Sequence, residues 1–255
     1  MKRGKFALLI TLFVMVFFYL PVVIVAINSF NSARFGGEWK SFTLVWYSKL
    51  FADKNIWSAF MNSLLIAFSS AVLSMILGSV AAFALEKYKS RFQTIHRMLL
   101  FSPLVVPDIL IGMSLLIFFV AVQIQLGLMT VFLAHVTFSI SYVAMVVLAR
   151  LQDFDSSLYE AALDLGAGRF NAMRLVVIPL VFPGILAGGI MAFTLSIDDF
   201  VITFFVSGAG AATLPGYIYS MMKHGFPAVI NSLSVLFVIA TFILVLMSRK
   251  FLVKQ

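Results

Sequence analysis

Long apolar runs separated by short polar segments dominate this chain. Five stretches are each longer than the about 20 apolar residues that allow an α-helix to cross a hydrocarbon layer of about 30 Å. One stretch, residues 98–149, holds Asp108 as its single charged residue, and the other four hold no Asp, Glu, Lys or Arg. In chain order the five stretches are residues 6–33, 55–85, 98–149, 175–197 and 224–248. The pattern predicts an all-α protein embedded in a membrane.

The third stretch is too long for a single crossing. Within it, the segment QIQLG at residues 123–127 contains two glutamines and a glycine, which favour a polar turn between two helices. Six transmembrane helices are therefore predicted, at about residues 6–27, 59–85, 98–121, 128–149, 180–206 and 230–248.

Composition and charge agree with a membrane protein and exclude several other classes. Only 11% of the 255 residues are charged, whereas a soluble domain carries about a quarter. The chain contains no cysteine, so disulfides and thiolate metal sites are impossible, and its three histidines are scattered. The net charge of +8 comes mostly from loop cations that set orientation, so it gives no indication of nucleic-acid binding.

The distribution of Lys and Arg predicts the orientation of the chain. With six crossings both termini lie on one side of the membrane, and thirteen of the eighteen Lys and Arg residues lie on that side. The other five are Arg34, Lys40, Lys49, Lys54 and Lys223. Because cytoplasmic loops carry the excess of positive charge, both termini are predicted to be cytoplasmic. The first apolar run is too long for a signal peptide, so a retained helix is expected.

Two outer segments are expected to lie near the membrane surface. Loop 28–58 contains three tryptophans and a tyrosine, namely Trp39, Trp46, Trp57 and Tyr47. Interfacial anchoring by an aromatic belt and a surface-lying helix is favoured over contact with a soluble partner. Segment 207–229 is predicted to contain a short interfacial helix from about Pro215 to Lys223.

The inner loop at residues 150–179 is long for such a compact chain and shows a helix–turn–helix pattern. Ser157 and Glu160 have the spacing of a capping box, which predicts that a helix begins there. Gly166 is expected to end that helix. A second helix is expected to follow it and to end at Pro179.

The first of these loop helices carries a narrow apolar stripe formed by Leu158, Ala161, Ala162 and Leu165. The small alanines permit close approach of another surface. A helix lying flat on the bilayer would need more large apolar side chains and some Lys or Arg, which this stretch lacks. Docking to another protein is therefore favoured over docking to lipid.

The segment EAALDLGAGRFNAMRLVVIP, residues 160–179, resembles the EAA loop of ABC-importer permeases. Four residues match that motif at its spacing: Glu160, Ala161, Ala162 and Gly166. Val176 and Ile178 stand where the family more often has Ile and Leu. The resemblance implies that this loop is the coupling helix, which seats in a groove of a cytoplasmic ATPase subunit.

The resemblance extends over most of the chain. Segments such as SPLVVPDILIGMSLL and TLPGYIYSMMKHGFPAVINSLS are similar to the second permease of bacterial spermidine/putrescine importers. This similarity implies a type I ABC-importer permease fold in the bacterial inner membrane. Residues 1–255 would form a single transmembrane permease domain, with the cytoplasmic coupling loop at about 150–179.

By the same resemblance, the chain is a transport subunit rather than an enzyme. The implied partners are a homologous second permease chain, two ATPase subunits, a periplasmic polyamine-binding protein and membrane lipid, with no nucleic acid. ATP and Mg²⁺ would be bound by the ATPase subunits, so no cofactor is expected in this chain. The alternative is an importer permease for another small cationic or amino-acid-like solute, because related permeases share the coupling loop.

Three acidic residues fall inside the predicted helices, namely Asp108, Asp198 and Asp199. On a continuous helix Asp199 would lie in line with Ser196 and Thr203. Asp199 is therefore expected to face a water-filled path, with Asp198 at its edge or against a partner chain. The predicted helices contain no Lys or Arg that could pair with these acids. Since each buried charge costs about 2.5–3.5 kcal/mol, a mobile polycation is the expected counter-ion.

Other roles for these acids stay open at this point. Asp198 and Asp199 could cap a helix break, or pair with a cation from a partner permease. An intramembrane enzyme using Asp108 with Asp198 or Asp199 as an acid dyad would leave the coupling loop unexplained. His135, in the fourth predicted helix, is expected to form an interhelical hydrogen bond rather than to relay protons.

Overall fold

The computed structural model describes residues 2–34, 38–88, 91–223, 225 and 228–252, without the side chains of 2–5, 244–245 and 247–252. Over these ranges the chain is helical apart from turns and an isolated bridge between Asn31 and Phe42. The chain divides into two compact units. The first comprises Met1–Trp57 and Tyr217–Gln255, and the second comprises Ser58–Gly216.

Twelve α-helices lie within the described ranges, together with a 3₁₀ segment at Ser102–Leu104 and a π-helical segment at Met173–Val177. In chain order the helices are α1, Lys2–Asn28; α2, Val45–Ala52; α3, Lys54–Lys87; α4, Gln93–Phe101; α5, Asp108–Ala121; α6, Leu128–Gln152; α7, Ser156–Asp164; α8, Arg169–Ala172; α9, Ile178–Ile197; α10, Val201–Val206; α11, Leu214–Lys223; and α12, Ala228–Leu252.

Among the described residues, four helical segments are long and apolar enough to cross a membrane. They are Phe6–Asn28, Lys54–Lys87, Leu128–Gln152 and Arg169–Ile197. A bent pair, Gln93–Leu104 with Asp108–Ala121, adds a fifth if it counts as one crossing. The apolar part of α12, Ala228–Ile243, is shorter. The helical membrane fold agrees with the prediction, but in the described ranges only four or five of the six predicted crossings meet this criterion.

The third predicted helix, 98–121, is bent instead of straight. The chain turns by 105° between Gln93–Leu104 and α5. Pro107 directly precedes α5 and has an extended backbone conformation. Because proline lacks an N–H and disfavours helical geometry at the residue before it, the helix cannot continue through Val106. The apolar run therefore predicts the length of this crossing but not its bend.

The fifth predicted helix, 180–206, begins earlier and ends sooner than expected. Pro179 does not end a preceding helix, because a π-helical turn at Met173–Val177 comes directly before it and accommodates its ring. Helical structure therefore runs without interruption over Arg169–Ile197. The helix is then interrupted for three residues before α10 begins.

Helix α7 is capped by a residue that the sequence pattern did not identify. The capping box expected from Ser157 and Glu160 is not the cap. Instead the Asp155 carboxylate accepts a hydrogen bond of 2.9 Å from the Ser157 backbone N–H. Hydrogen bonding to Ser157, chiefly through its side chain, holds the pKa of Asp155 below its ordinary value. The cap therefore stabilises α7 fully at pH values above the ordinary pKa of aspartate. This stabilisation is lost as the pH falls through the lowered pKa of Asp155.

Helix α6 packs closely against α9 in the second unit. Gly184 lies against the Arg150 side chain, and Gly188 lies against Val143. Small residues spaced four apart let two transmembrane helices approach each other, and van der Waals packing then holds them together. This packing brings the first half of α6 next to the end of α9, where the candidate site lies.

The outer loop of the first unit is organised around Asn31. Its side chain accepts hydrogen bonds from the backbone N–H groups of Ala33 and Lys40, and donates one to the Glu38 carbonyl. The Trp46 indole is buried and donates to the Asn31 carbonyl over 2.7 Å. Trp46 thus belongs to the core of the loop and not to an aromatic belt. The short helices predicted in the two outer segments are present as α2 and α11.

Gly188→Leu is expected to destabilise the second unit by about 1–3 kcal/mol. The reason is steric, since even an added Cβ would lie 3.2 Å from Val143. The measurement is the midpoint of denaturant-induced unfolding in detergent micelles. Ala187→Leu is the matched control, because Ala187 is exposed beside Gly188 on the same helix. Equal midpoints for the two variants would contradict close packing of α6 on α9.

Candidate functional site

The candidate site is built around the break between α9 and α10. Three residues, Asp198, Asp199 and Phe200, connect the two helices. Asp198 is exposed, whereas the Asp199 side chain is only 9% exposed. A break of this kind leaves backbone N–H and C=O groups without helical partners, so it requires compensating hydrogen bonds.

The Asp199 carboxylate accepts hydrogen bonds from the first turn of α10. Its Oδ2 atom accepts from the backbone N–H and from the hydroxyl of Thr203, both at 2.8 Å. Its Oδ1 atom accepts from the Ile202 N–H at 3.3 Å. The carboxylate also lies at the helix end where partial positive charge favours an anion. Asp199 therefore caps the helix break, which is one of the roles that the sequence left open.

His135 of α6 is the other partner of Asp199. Its Nε2 atom lies 3.2 Å from Asp199 Oδ2 and 2.9 Å from the Thr203 hydroxyl. Its Nδ1 atom lies 2.6 Å from the Ser196 hydroxyl. Ser70 of α3 in turn donates to Ser196 over 3.1 Å. The imidazole is only 1% exposed, and the interhelical hydrogen bonding predicted for His135 is confirmed.

One neutral tautomer of His135 satisfies these contacts. With its proton on Nε2, the imidazole donates to Asp199, and its unprotonated Nδ1 accepts from the Ser196 hydroxyl. A directed chain of hydrogen bonds then runs from Ser70 through Ser196 and His135 to Asp199. These residues form the break network, which comprises Ser70, His135, Ser196, Asp199 and Thr203.

The two aspartates at the break are not oriented as on a continuous helix. Ser196, Asp199 and Thr203 lie together as their spacing predicts, and all three contact His135 of α6. Asp198 is the exposed carboxylate of the pair. Because the predicted helices contain no Lys or Arg, no partner for Asp199 within this chain was predicted from the sequence. The available signal was a single histidine, His135, within an apolar run.

Asp108 is a second exposed carboxylate, and it belongs to a helix that packs against α10. It is the first residue of α5, follows Pro107 and is exposed. Helix α5 packs against α10 at Gly112, which leaves room for Ile202. Asp108 is therefore found at the N-terminal end of α5, whereas Asp198 follows the C-terminal end of α9, three residues before α10 begins. Within the described residues, no group of three or more His, Asp or Glu side chains is arranged to hold a metal ion.

The predicted coupling loop ends its first helix with a Schellman turn. The Gly166 N–H donates to the Leu163 carbonyl, and the Ala167 N–H donates to the Ala162 carbonyl. Gly166 adopts a φ of +86°, a backbone conformation that is costly for residues with a Cβ atom. The predicted end of the helix at Gly166 is confirmed.

The coupling loop is anchored on one side and exposed on the other. Phe154 and Tyr159 pack against the hydrophobic core of the second unit. Glu160 and Ala161 are exposed, and Leu165 is 89% exposed. Four exposed residues form the docking face, namely Leu158, Glu160, Ala161 and Leu165. A firmly anchored helix with small and apolar residues on its outer face is suited to contact with another protein.

Comparison with known sequences identifies relatives over nearly the whole chain. Residues 72–254 match the family described as binding-protein-dependent transport system inner membrane component. The chain is 38% identical over 233 residues to the spermidine/putrescine transport system permease protein PotC of Escherichia coli K12, covering 91% of this chain and 88% of that protein. It is 39% identical over 241 residues to the putrescine transport system permease protein PotI of the same strain, covering 92% and 86% respectively.

Solved structures share the fold at much lower identity. A bacterial ABC transporter involved in the import of the acidic polysaccharide alginate matches with a TM-score of 0.74 and 14% identity, over 98% of this chain and 96% of that one. The MetNI methionine ABC transporter matches with a TM-score of 0.61 and 19% identity, over 77% and 94% respectively. The family match and the closely related permeases each cover most of the chain. The protein therefore belongs to the binding-protein-dependent transport system inner membrane components, as a multi-pass permease subunit of an ABC importer and not an enzyme.

Proposed function

We propose that this chain is one of two permease subunits of an ATP-driven polyamine importer, and that it forms half of the path for spermidine or putrescine. The observation that carries the proposal is the 38–39% identity, over about nine-tenths of the chain, to permeases named for these cargoes. Two exposed carboxylates, Asp108 and Asp198, would supply the negative charge that a polycation meets.

The three aspartates would contribute to such a path in different ways. Hydrogen bonds from His135, from the Thr203 hydroxyl and from the first turn of α10 already stabilise the Asp199 carboxylate. An uncompensated carboxylate inside a membrane costs about 2.5–3.5 kcal/mol on insertion scales. A passing polyamine would remove that cost at Asp108 and Asp198 in turn, and several weak sites allow release as well as entry. The acidic path would thus consist of Asp108 and Asp198, with Asp199 behind them.

Six crossings and cytoplasmic termini form part of the same proposal. The bent pair of Gln93–Leu104 and α5 would be the third crossing, and α12 would be the sixth. The excess of Lys and Arg on the side of the termini supports a cytoplasmic location for both. The docking face would then lie in the cytoplasm, where ATP is available.

The importer would contain several other chains. We infer a homologous second permease, two ATPase subunits that bind ATP and Mg²⁺, and a periplasmic polyamine-binding protein, all surrounded by membrane lipid. The docking face on α7 would seat in an ATPase subunit and transmit its movement to α9 through the continuous helix that begins at Arg169. No cofactor is assigned to this chain.

Asp198→Asn is expected to lower the maximal rate of spermidine uptake about tenfold or more, the factor that a loss of about 1.4 kcal/mol produces. The cause is the loss of a charge that the cargo would meet inside the membrane. Uptake of putrescine, which carries fewer positive charges, should fall less. The measurement is binding-protein-dependent uptake of each labelled amine into proteoliposomes that contain the whole importer, with ATP hydrolysis recorded in parallel.

Glu86→Gln serves as the control for charge removal, because Glu86 is exposed near the end of α3, away from the break. It should leave uptake unchanged, and both variants should assemble with the ATPase. Full spermidine uptake by Asp198→Asn would exclude the acidic path. Transport of a zwitterionic solute in place of both amines by the unmodified importer would favour the amino-acid-like alternative.

Gly166→Ala is expected to weaken the affinity for the ATPase about fivefold, because alanine at a φ of +86° costs about 1–2 kcal/mol and distorts the turn that ends α7. The measurement is the dissociation constant of the ATPase from the permease pair in lipid nanodiscs. Glu160→Lys should also weaken binding, by changing the charge of the docking face itself.

Gly168→Ala is the matched control for the turn. An added Cβ at Gly166 or at Gly168 would meet nothing within 4 Å, but Gly168 has a φ of −66° that alanine adopts freely. The two variants therefore differ in backbone strain and not in crowding. Identical affinities for both would show that α7 does not carry the ATPase contact.

A further inference from the structure

We propose that His135 is a positioning residue, which fastens the two sides of the helix break to α6 and holds Asp199 inward so that Asp198 is the carboxylate offered to the cargo. The role of Asp198 rests on the proposed function. The mechanical part of the inference, that His135 holds the break, rests only on contacts within the second unit.

The contacts of His135 lie on both sides of the break. Its Nδ1 contacts Ser196, which belongs to the last turn of α9. Its Nε2 contacts Asp199 in the break and Thr203 in α10. A single imidazole on α6 thus joins three positions whose backbone would otherwise be connected only through the interrupted segment.

The break needs this restraint because it lies within an apolar run. Asp199 accepts from the N–H groups of Ile202 and Thr203, which the missing helical turn leaves without partners. Those bonds require the carboxylate to point toward α10 and α6 instead of outward. A carboxylate without His135 would gain by turning to water or to a cation. The two N–H groups would then lose their acceptor, which a lipid environment cannot replace.

The surroundings of the imidazole are consistent with a fixed position. The Phe138 ring lies one turn further along α6 with its centroid 5.4 Å from that of His135. Ser70 supports Ser196 from α3, so the break network reaches a fourth helix in addition to α6, α9 and α10. The imidazole is buried and has polar contacts at both nitrogens, so its function here is to fix geometry rather than to exchange protons with solvent.

Two substitutions separate the contacts that His135 makes. The amide of Gln reaches the position of Nε2, whereas the shorter Asn reaches only the position of Nδ1. His135→Gln should therefore keep the contacts to Asp199 and Thr203, and His135→Asn should keep only the contact to Ser196. His135→Ala removes both. His96→Ala is the matched control, because His96 is exposed on α4.

The absence of cysteine from the chain allows a direct reporter of the break. Ile202 is 1% exposed and packs in the core of the second unit, so Ile202→Cys should react slowly with a maleimide. The reporter is placed in the whole importer in membrane vesicles, and labelling of this chain is read after its separation on a gel. Trp39→Cys, at an exposed position of the outer loop, measures the reagent in each preparation.

His135→Ala and His135→Asn are expected to raise the labelling rate of the cysteine at position 202 about tenfold, the factor that about 1.4 kcal/mol produces. The labelling rate in His135→Gln should stay within about twofold of that in the unmodified chain. Spermidine uptake by His135→Gln should exceed uptake by His135→Asn about tenfold. His96→Ala should change neither quantity. If His135→Ala does not assemble, the Asn and Gln pair carries the test.

Equal labelling rates in the Asn and Gln variants, whether slow or fast, would overturn the inference, since packing alone would then explain His135. An unchanged rate in His135→Ala would overturn it as well. Labelling requires no cargo, so it tests the restraint even if the importer proves not to carry polyamines. In that case the unmodified importer fails to take up spermidine, while the labelling difference between Asn and Gln persists.

Discussion

The hydrocarbon layer does not tolerate backbone N–H and C=O groups without partners, and this constraint underlies the arrangement of the whole candidate site. A helix can be interrupted inside a membrane only where other groups take up the freed hydrogen bonds. Asp199 does so for the first turn of α10, and His135 holds Asp199 in place. With Asp199 turned inward, its neighbour Asp198 remains exposed. An interruption that costs stability thereby creates a defined acidic position.

Close helix packing brings the partners of this network together. Gly188 lets α9 approach Val143 of α6, and the same two helices carry Ser196 and His135. Gly112 gives α5 a comparable approach to α10 near Ile202. The small residues thus have a functional consequence beyond stability, because they set the separation at which an imidazole can reach a hydroxyl on the facing helix.

Local sequence patterns predicted the features that depend on local physics. The apolar runs predicted the long helices, Gly166 predicted the end of α7, and the segment after residue 207 predicted α11. Two local details were predicted wrongly, and one contact between positions distant in sequence was missed. A π-helical turn accommodates Pro179, and Asp155 replaces the expected cap of α7. The pairing of His135 with Asp199 joins residues on different helices, and no periodicity within one helix could reveal it.

The most direct measurement is a structure of the assembled importer, determined by electron cryomicroscopy with a polyamine trapped in its path. The account predicts amine nitrogens within about 4 Å of the Asp198 or Asp108 carboxylate, the separation of an ion pair. It also predicts that Asp199 stays bonded to His135 while the cargo is bound. A polyamine bound far from both exposed aspartates, or an Asp199 released from His135 to meet the cargo, would contradict it.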